Sequence, residues 1–190
     1  GPRLIMLFTL IATLILPVQW AVFLGVVLSI LVYVVRASSD IKVREVVRRE
    51  DGLFDEKSAP AQLSDGSITV LHVWGSLFFS GAYTLQQHLP EVGDAQRAVA
   101  ILRLRGRSQI GSTFIQVLER YAQQLQANGG KLMLAGVSEH VMEQLAKTET
   151  FETIPKEDIY LAKDTLGRAT LDATAAAELW LAEKAASEDK

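Results

Sequence analysis

Ser112 and Thr113 open a segment that reads as a helix running to Asn128, with Gly129-Gly130 supplying a left-handed exit, and Arg103, Arg105 and Arg107 precede them at every second position. A hydroxyl at a helix start accepts a hydrogen bond from a first-turn backbone N–H, so capping is the preferred reading of both side chains. The same place has a second capacity. Unpaired N–H groups and the helix dipole favour an anion there, and arginines just upstream would strengthen the attraction. Ser112, Thr113, Arg105 and Arg107 therefore form the candidate regulatory or anion-binding loop.

Little else in the chain suggests chemistry. With no cysteine, thiolate catalysis, disulfides and cysteine-bound metal are excluded. His72, His88 and His140 are scattered, with no acid–histidine constellation around any of them. No Gly-rich phosphate loop or nucleophile–base pair is present, so no catalytic, cofactor-binding or metal-ligating residue is expected, and the chain is not expected to be an enzyme. A formal net charge of −3 gives no general attraction to nucleic acid.

The elements that position the loop begin far upstream. From Leu4 to Val35 the chain runs LIMLFTLIATLILPVQWAVFLGVVLSILVYVV without a formal charge. A secretory signal has a shorter apolar part and a small-residue cleavage site, and Tyr-Val-Val-Arg-Ala-Ser-Ser is a poor version of one. As a single helix the run would be about 48 Å long, against a hydrocarbon core of about 30 Å. Pro17 removes a backbone donor in mid-run, so two helices, Leu4–Leu16 and Val18–Val35, are expected as a transmembrane hairpin inside a larger bundle. Gly25 and Ser29, four residues apart, would permit close approach of a neighbouring helix. Arg36, Lys42, Arg44, Arg48 and Arg49 follow, and positive residues there favour the cytoplasmic side.

Residues 37–67 read as a juxtamembrane basic segment and linker, since Asp51 to Ser67 is rich in Asp, Ser, Gly, Ala and Pro. Residues 68–186 read as one α/β domain. Strands are expected at Ile68–Trp74, continuing extended through Leu77-Phe78-Phe79, then at Ala98–Leu104, Lys131–Gly136 and, as a short edge, Ile159–Leu161. Helices fall between them at Tyr83–Leu89, from Ser112 or Thr113 to Asn128, and from a Ser138 cap to Thr148, with a last one over Leu166–Lys184. The end, Ser187–Lys190, is expected to fray. This alternation implies right-handed crossovers and a mainly parallel or mixed sheet with helices packed on it.

The order of these pieces, with Leu77-Phe78-Phe79-Ser80-Gly81-Ala82 after the first strand and Lys131 to Val137 as a later one, resembles a STAS domain. The preceding Thr-Leu-Ile-Ala-Thr-Leu-Ile-Leu helix, the Gly-Val-Val-Leu-Ser-Ile helix and the basic exit look like the C-terminal end of a SulP-type anion transporter. The resemblance implies a multi-pass inner-membrane protein with its STAS domain cytoplasmic. Implied partners are the remainder of the transporter membrane domain, the lipid bilayer and a second copy as a homodimer. The inorganic anion, sulfate or a relative, would bind outside this chain, which would be a fragment, and no cofactor or nucleic acid is implied. Where STAS domains act as phosphorylation switches, an Asp-Ser-Ser/Thr-Gly motif opens the helix. The corresponding stretch here is Gly111-Ser112-Thr113-Phe114, which keeps the phosphorylatable Ser112 and lacks the acid and the glycine. The alternative is a membrane-tethered STAS signalling adaptor that binds a partner through the Ser112 loop.

Overall fold

A computed structural model describes residues 6–7, 10–11, 17–38, 41–49, 51–75 and 80–188. Helix α1 covers Val18–Ser38 and is followed by strands β1, Lys42–Arg48, β2, Phe54–Ser58, and β3, Ile68–Trp74. Helix α2, Ser80–His88, leads to β4, Val99–Arg103. Helix α3, Ser112–Ala127, leads to β5, Lys131–Val137, and α4, Glu139–Lys147, precedes two short 3-10 turns and β6, Ile159–Leu161. Helix α5, Arg168–Glu188, closes the chain.

The strands make one six-stranded mixed sheet in the order β2-β1-β3-β4-β5-β6. From β3 to β6 they pair in parallel and step in one direction, so right-handed crossovers must place α2, α3 and α4 on a single face. That face carries the larger core. Leu71 and Val73 of β3, Ala100 and Leu102 of β4, and Leu132 and Leu134 of β5 pack there with Leu85, Phe114, Leu118, Leu125 and Leu145 of the helices. In α3 the buried residues recur at three- and four-residue steps, Phe114, Leu118, Tyr121 and Leu125, the stripe that a one-sided helix requires. The opposite face holds a smaller cluster, Val99, Ile101, Met133 and Ala135, against Ala173 and Ala177 of α5. Because β4 is covered on both sides, Val99 to Leu102 are all buried, which explains its unbroken apolar run.

The segment expected as a basic stretch and linker differs from that reading, because β1 and β2 lie within it and extend the sheet as an antiparallel hairpin. All five residues of β2 are exposed, so a strand that buries nothing gave no apolar pattern to read. In β1, Val43 and Val46 are buried, with exposed Arg44 and half-buried Glu45 between them. The last helix starts two residues after the expected Leu166 and continues past Lys184 to Glu188, so Ser187 belongs to it. Asp189 and Lys190 lie outside the described residues, as do Leu77-Phe78-Phe79.

Most of the expected first hairpin arm, Leu4–Leu16, also lies outside the described residues. Among the described residues no helix is long and apolar enough to cross a membrane. The side chains of α1 are described as far as Tyr33. Those side chains are nonetheless outward-facing and apolar: Val18, Trp20, Val22, Phe23, Leu24, Val26, Ile30, Leu31 and Tyr33 are all exposed.

Candidate functional site

Helix α3 begins without the cap expected for it. Gly111, in extended conformation, occupies the N-cap position, and no side chain bonds the first turn there. Ser112 is the first helical residue and is exposed, and Thr113 is half-buried. The capping role assigned to these hydroxyls is therefore corrected: the extended backbone at Gly111 sets the boundary one residue early, and both hydroxyls stand inside the helix. The corresponding expectation for α4 is met. Ser138 Oγ accepts from the Val141 N–H at 3.3 Å and donates to the Arg107 carbonyl oxygen at 3.0 Å.

Arg105 and Arg107 are brought to the loop by the end of β4 but spend their guanidinium groups elsewhere. Arg107 donates to the carbonyl oxygens of Gly75 at 2.5 Å and Val73 at 2.7 Å, tying the β4–α3 loop to the end of β3. Burial of that guanidinium pushes its pKa down. Arg105 donates to the Lys163 carbonyl oxygen at 2.7 Å. Its backbone passes close over Gly136, where a Cβ would come within 3.0 Å of the Arg105 Cβ. Gly136 has φ +73° and sits at the register shift between β5 and β6, so the bulge makes room for Arg105. Gln144 fixes the far side of the loop, accepting from the Ile110 N–H at 3.1 Å and donating back to its carbonyl at 3.4 Å. The four expected site residues thus share one loop, and the two arginines act as ties within it.

A different cluster emerges only from strand register. Arg44 of β1 lies opposite His72 of β3, and His72 lies beside Arg103 of β4. Ser58 and Ala135 extend the same row, and Lys42 lies opposite Trp74 one step above it. Alternation puts all of these on the α5 face, since Leu71 and Val73 point to the other core. Helix α5 covers Ile101 and Ala135 of this face but leaves the β1–β3 end open, where Lys42, Arg44, Glu56 and Trp74 line a broad opening of about 530 Å³. His72 meets Trp74 edge to face, with centroids 4.7 Å apart, and its buried Nδ1 has no hydrogen-bond partner. Burial, then the charge of Arg103, lowers the His72 pKa, so the ring is neutral at pH 7. Burial also lowers that of half-buried Arg103, opposed by the Glu56 carboxylate. Lys42 and Arg44 were legible as part of the basic exit and His72 as a lone histidine. Their convergence was not, because it depends on β1 being a strand.

At the other end of the α5 face, Lys131 pairs with Asp158 at 2.8 Å and lies over the Trp180 ring at 5.1 Å. Burial, joined by the charge of Glu157, raises the Asp158 pKa against the hydrogen bond and charge of Lys131 that lower it. Among the described residues no group of histidines and carboxylates is placed to hold a metal.

A family model described as "STAS domain" matches residues 60–166. No curated protein matches the chain. Among solved structures, the murine Slc26a9 anion transporter in the inward-facing state superposes with a TM-score of 0.68 at 14% identity, over 92% of this chain and 28% of that one. A second SLC26A9 structure gives a TM-score of 0.66 at 16% identity, over 92% and 30%. A sulfate transporter family protein from Wolinella succinogenes gives a TM-score of 0.49 at 26% identity, over 67% and 93%. The chain spans under a third of the length of the two SLC26A9 structures.

Proposed function

The chain belongs to the STAS domain family, and from that premise we propose that it is the C-terminal membrane hairpin and cytoplasmic regulatory STAS domain of a secondary inorganic anion transporter of SulP type. The observation that carries this reading is the direct join of a STAS sheet to α1. Only three residues separate Ser38 from Lys42, and the helix before them shows an apolar surface that a water-exposed helix would bury. The same order of helix and domain extends over the 92% of the chain that superposes on the SLC26A9 structures, which supports the reading at the level of fold. In this reading the anion, sulfate or a relative, is bound by membrane helices outside the chain, the STAS domain contacts them and a second copy, and the chain itself performs no reaction.

Topology tests it. Both ends of the hairpin are expected on the cytoplasmic face, so Arg3→Cys and Ser38→Cys should react with a membrane-impermeant thiol reagent only after the cell is opened. Labelling of Arg3→Cys from outside the intact cell would replace the hairpin with a single crossing. Complete removal of the chain from membranes by alkaline carbonate would end the membrane reading altogether.

The exposed hydroxyl of Ser112, which caps nothing, favours a second reading, a membrane-tethered adaptor whose partner recognises that loop. A phosphate there would meet a helix N-terminus. Stoichiometric phosphate on Ser112 in protein from its native cell, with opposite effects of Ser112→Ala and Ser112→Glu on partner binding, is the outcome that would favour it.

A further inference from the structure

We propose that the open, basic end of the α5 face, formed by Lys42, Arg44, Arg103 and Trp74, lies against anionic lipid headgroups of the membrane that α1 enters. The inference rests on the membrane attachment proposed above and adds a surface and its chemical partner.

Three observations carry it. The first is the tether. Helix α1 ends at Ser38 and β1 starts at Lys42, a step of four residues that reaches at most about 14 Å when fully extended. A strand so tethered cannot leave the membrane surface, and its first charged residues, Lys42 and Arg44, belong to this row. The second is uncompensated charge. Three permanent cations converge on one carboxylate, Glu56, and Lys42 and Arg103 have no hydrogen-bond or ion-pair partner among the described residues. A half-buried guanidinium that shares one carboxylate with two other cations is short of acceptors, which a group outside the chain can supply. The third is Trp74, 49% exposed and opposite Lys42 in the register. An aromatic ring with a polar edge beside long cationic side chains is the composition favoured at the headgroup level.

The shape selects a surface over a small soluble anion. The opening is lined by long side chains of three neighbouring strands. A broad patch of cations suits a plane of phosphates. The attraction acts across roughly a Debye length, about 8 Å at physiological salt, so it must weaken as salt rises. His72 takes no charged part, because burial keeps it neutral.

The whole chain carrying Trp20→Phe and Trp180→Phe, which leaves Trp74 as the sole tryptophan, is reconstituted into vesicles with a nitroxide quencher on the headgroup. The expected result is several-fold stronger quenching of Trp74 in vesicles of phosphatidylcholine with phosphatidylglycerol than in phosphatidylcholine alone. Molar salt, or Lys42→Glu with Arg44→Glu, should abolish the difference while the circular dichroism spectrum is kept. Equal quenching in both lipids, or none, overturns the inference, as does shielding of Trp74 by inorganic phosphate in neutral vesicles, which would indicate a soluble anion. Carbonate washing of the neutral vesicles separates the two claims. A chain that stays while Trp74 is unquenched removes only the headgroup contact, whereas a chain that washes off removes the membrane attachment and this inference with it.

Discussion

The two faces of the sheet are built to different ends. On one, three crossover helices cover four parallel strands, and Leu85, Phe114, Leu118, Leu125 and Leu145 meet the strand residues in a continuous core. On the other, α5 brings Ala173 and Ala177, flanked by the partly buried Trp180 and Leu181, to a smaller cluster and leaves the end of the sheet around Lys42 and Trp74 open. The part it leaves open holds Lys42, Arg44, His72, Trp74 and Arg103. A sheet needs one well-covered face for stability. The second face is then free to carry charged and aromatic residues that the first could not bury.

The largest effects should come from the covered face. Phe114 is fully buried, and Phe114→Ala should cost about 3–5 kcal/mol in urea unfolding of the chain in detergent. Ile101→Ala, on the α5 face, should fall toward the lower end of about 2–5 kcal/mol, since α5 can settle onto the gap through its small alanines. If Ile101→Ala proves as costly as Phe114→Ala, the two faces are equal in stability and the contrast fails.

A middle-sized effect lies where the loop crosses the sheet edge. Gly136→Ala places a side chain at φ +73° and against Arg105, and should cost about 1–3 kcal/mol. Its unfolding midpoint should drop, and the Arg105 tie to Lys163 should loosen, seen as faster amide exchange at the end of β6. An unchanged midpoint would show that the bulge is not needed to pass Arg105.

Smaller still is the difference between two serines at helix starts. Ser138→Ala should cost about 0.5–2 kcal/mol, because its hydroxyl caps α4 and also holds the Arg107 carbonyl. Ser112→Ala should stay within about 0.5 kcal/mol of the parent, as expected for an exposed side chain without a structural bond. Comparable costs for the two in parallel denaturation curves would restore the capping role to Ser112.

The open face should also show in pH dependence. His72 has a lowered folded pKa, so below the ordinary histidine value of about 6.5 the unfolded chain binds the extra proton first. Stability should therefore rise with pH up to about 6.5 and lose this slope above it. His72→Gln should flatten that part of the profile in melting temperatures taken across the range. A slope that survives the substitution would assign it to another group.

The elements legible in the sequence are those that bury something. β3, β5 and β6 announce themselves by apolar runs, and Ile159–Leu161 coincides with its expected edge strand. Ser138 is a cap in type and in fact. β1 and β2 were hidden for a physical reason: they lie at the polar margin of the sheet, where neighbouring strands supply hydrogen bonds and the side chains gain little from burial. The candidate loop was legible as residues, yet its arginines bond carbonyls 32, 34 and 58 positions away, which spacing cannot reveal. The Arg44–His72–Arg103 row needed the register of three strands and was out of reach for the same reason.

The margins of the sheet have a further consequence for how copies of this chain behave when crowded. One edge, β6, is three residues long, and the other, β2, places Asp55, Glu56 and Lys57 in succession along its exposed rim. Short edges and charged rims are poor templates for another strand. Neither border offers a long apolar seam on which fibrils could nucleate, a safeguard against runaway polymerisation in a chain held at high local density.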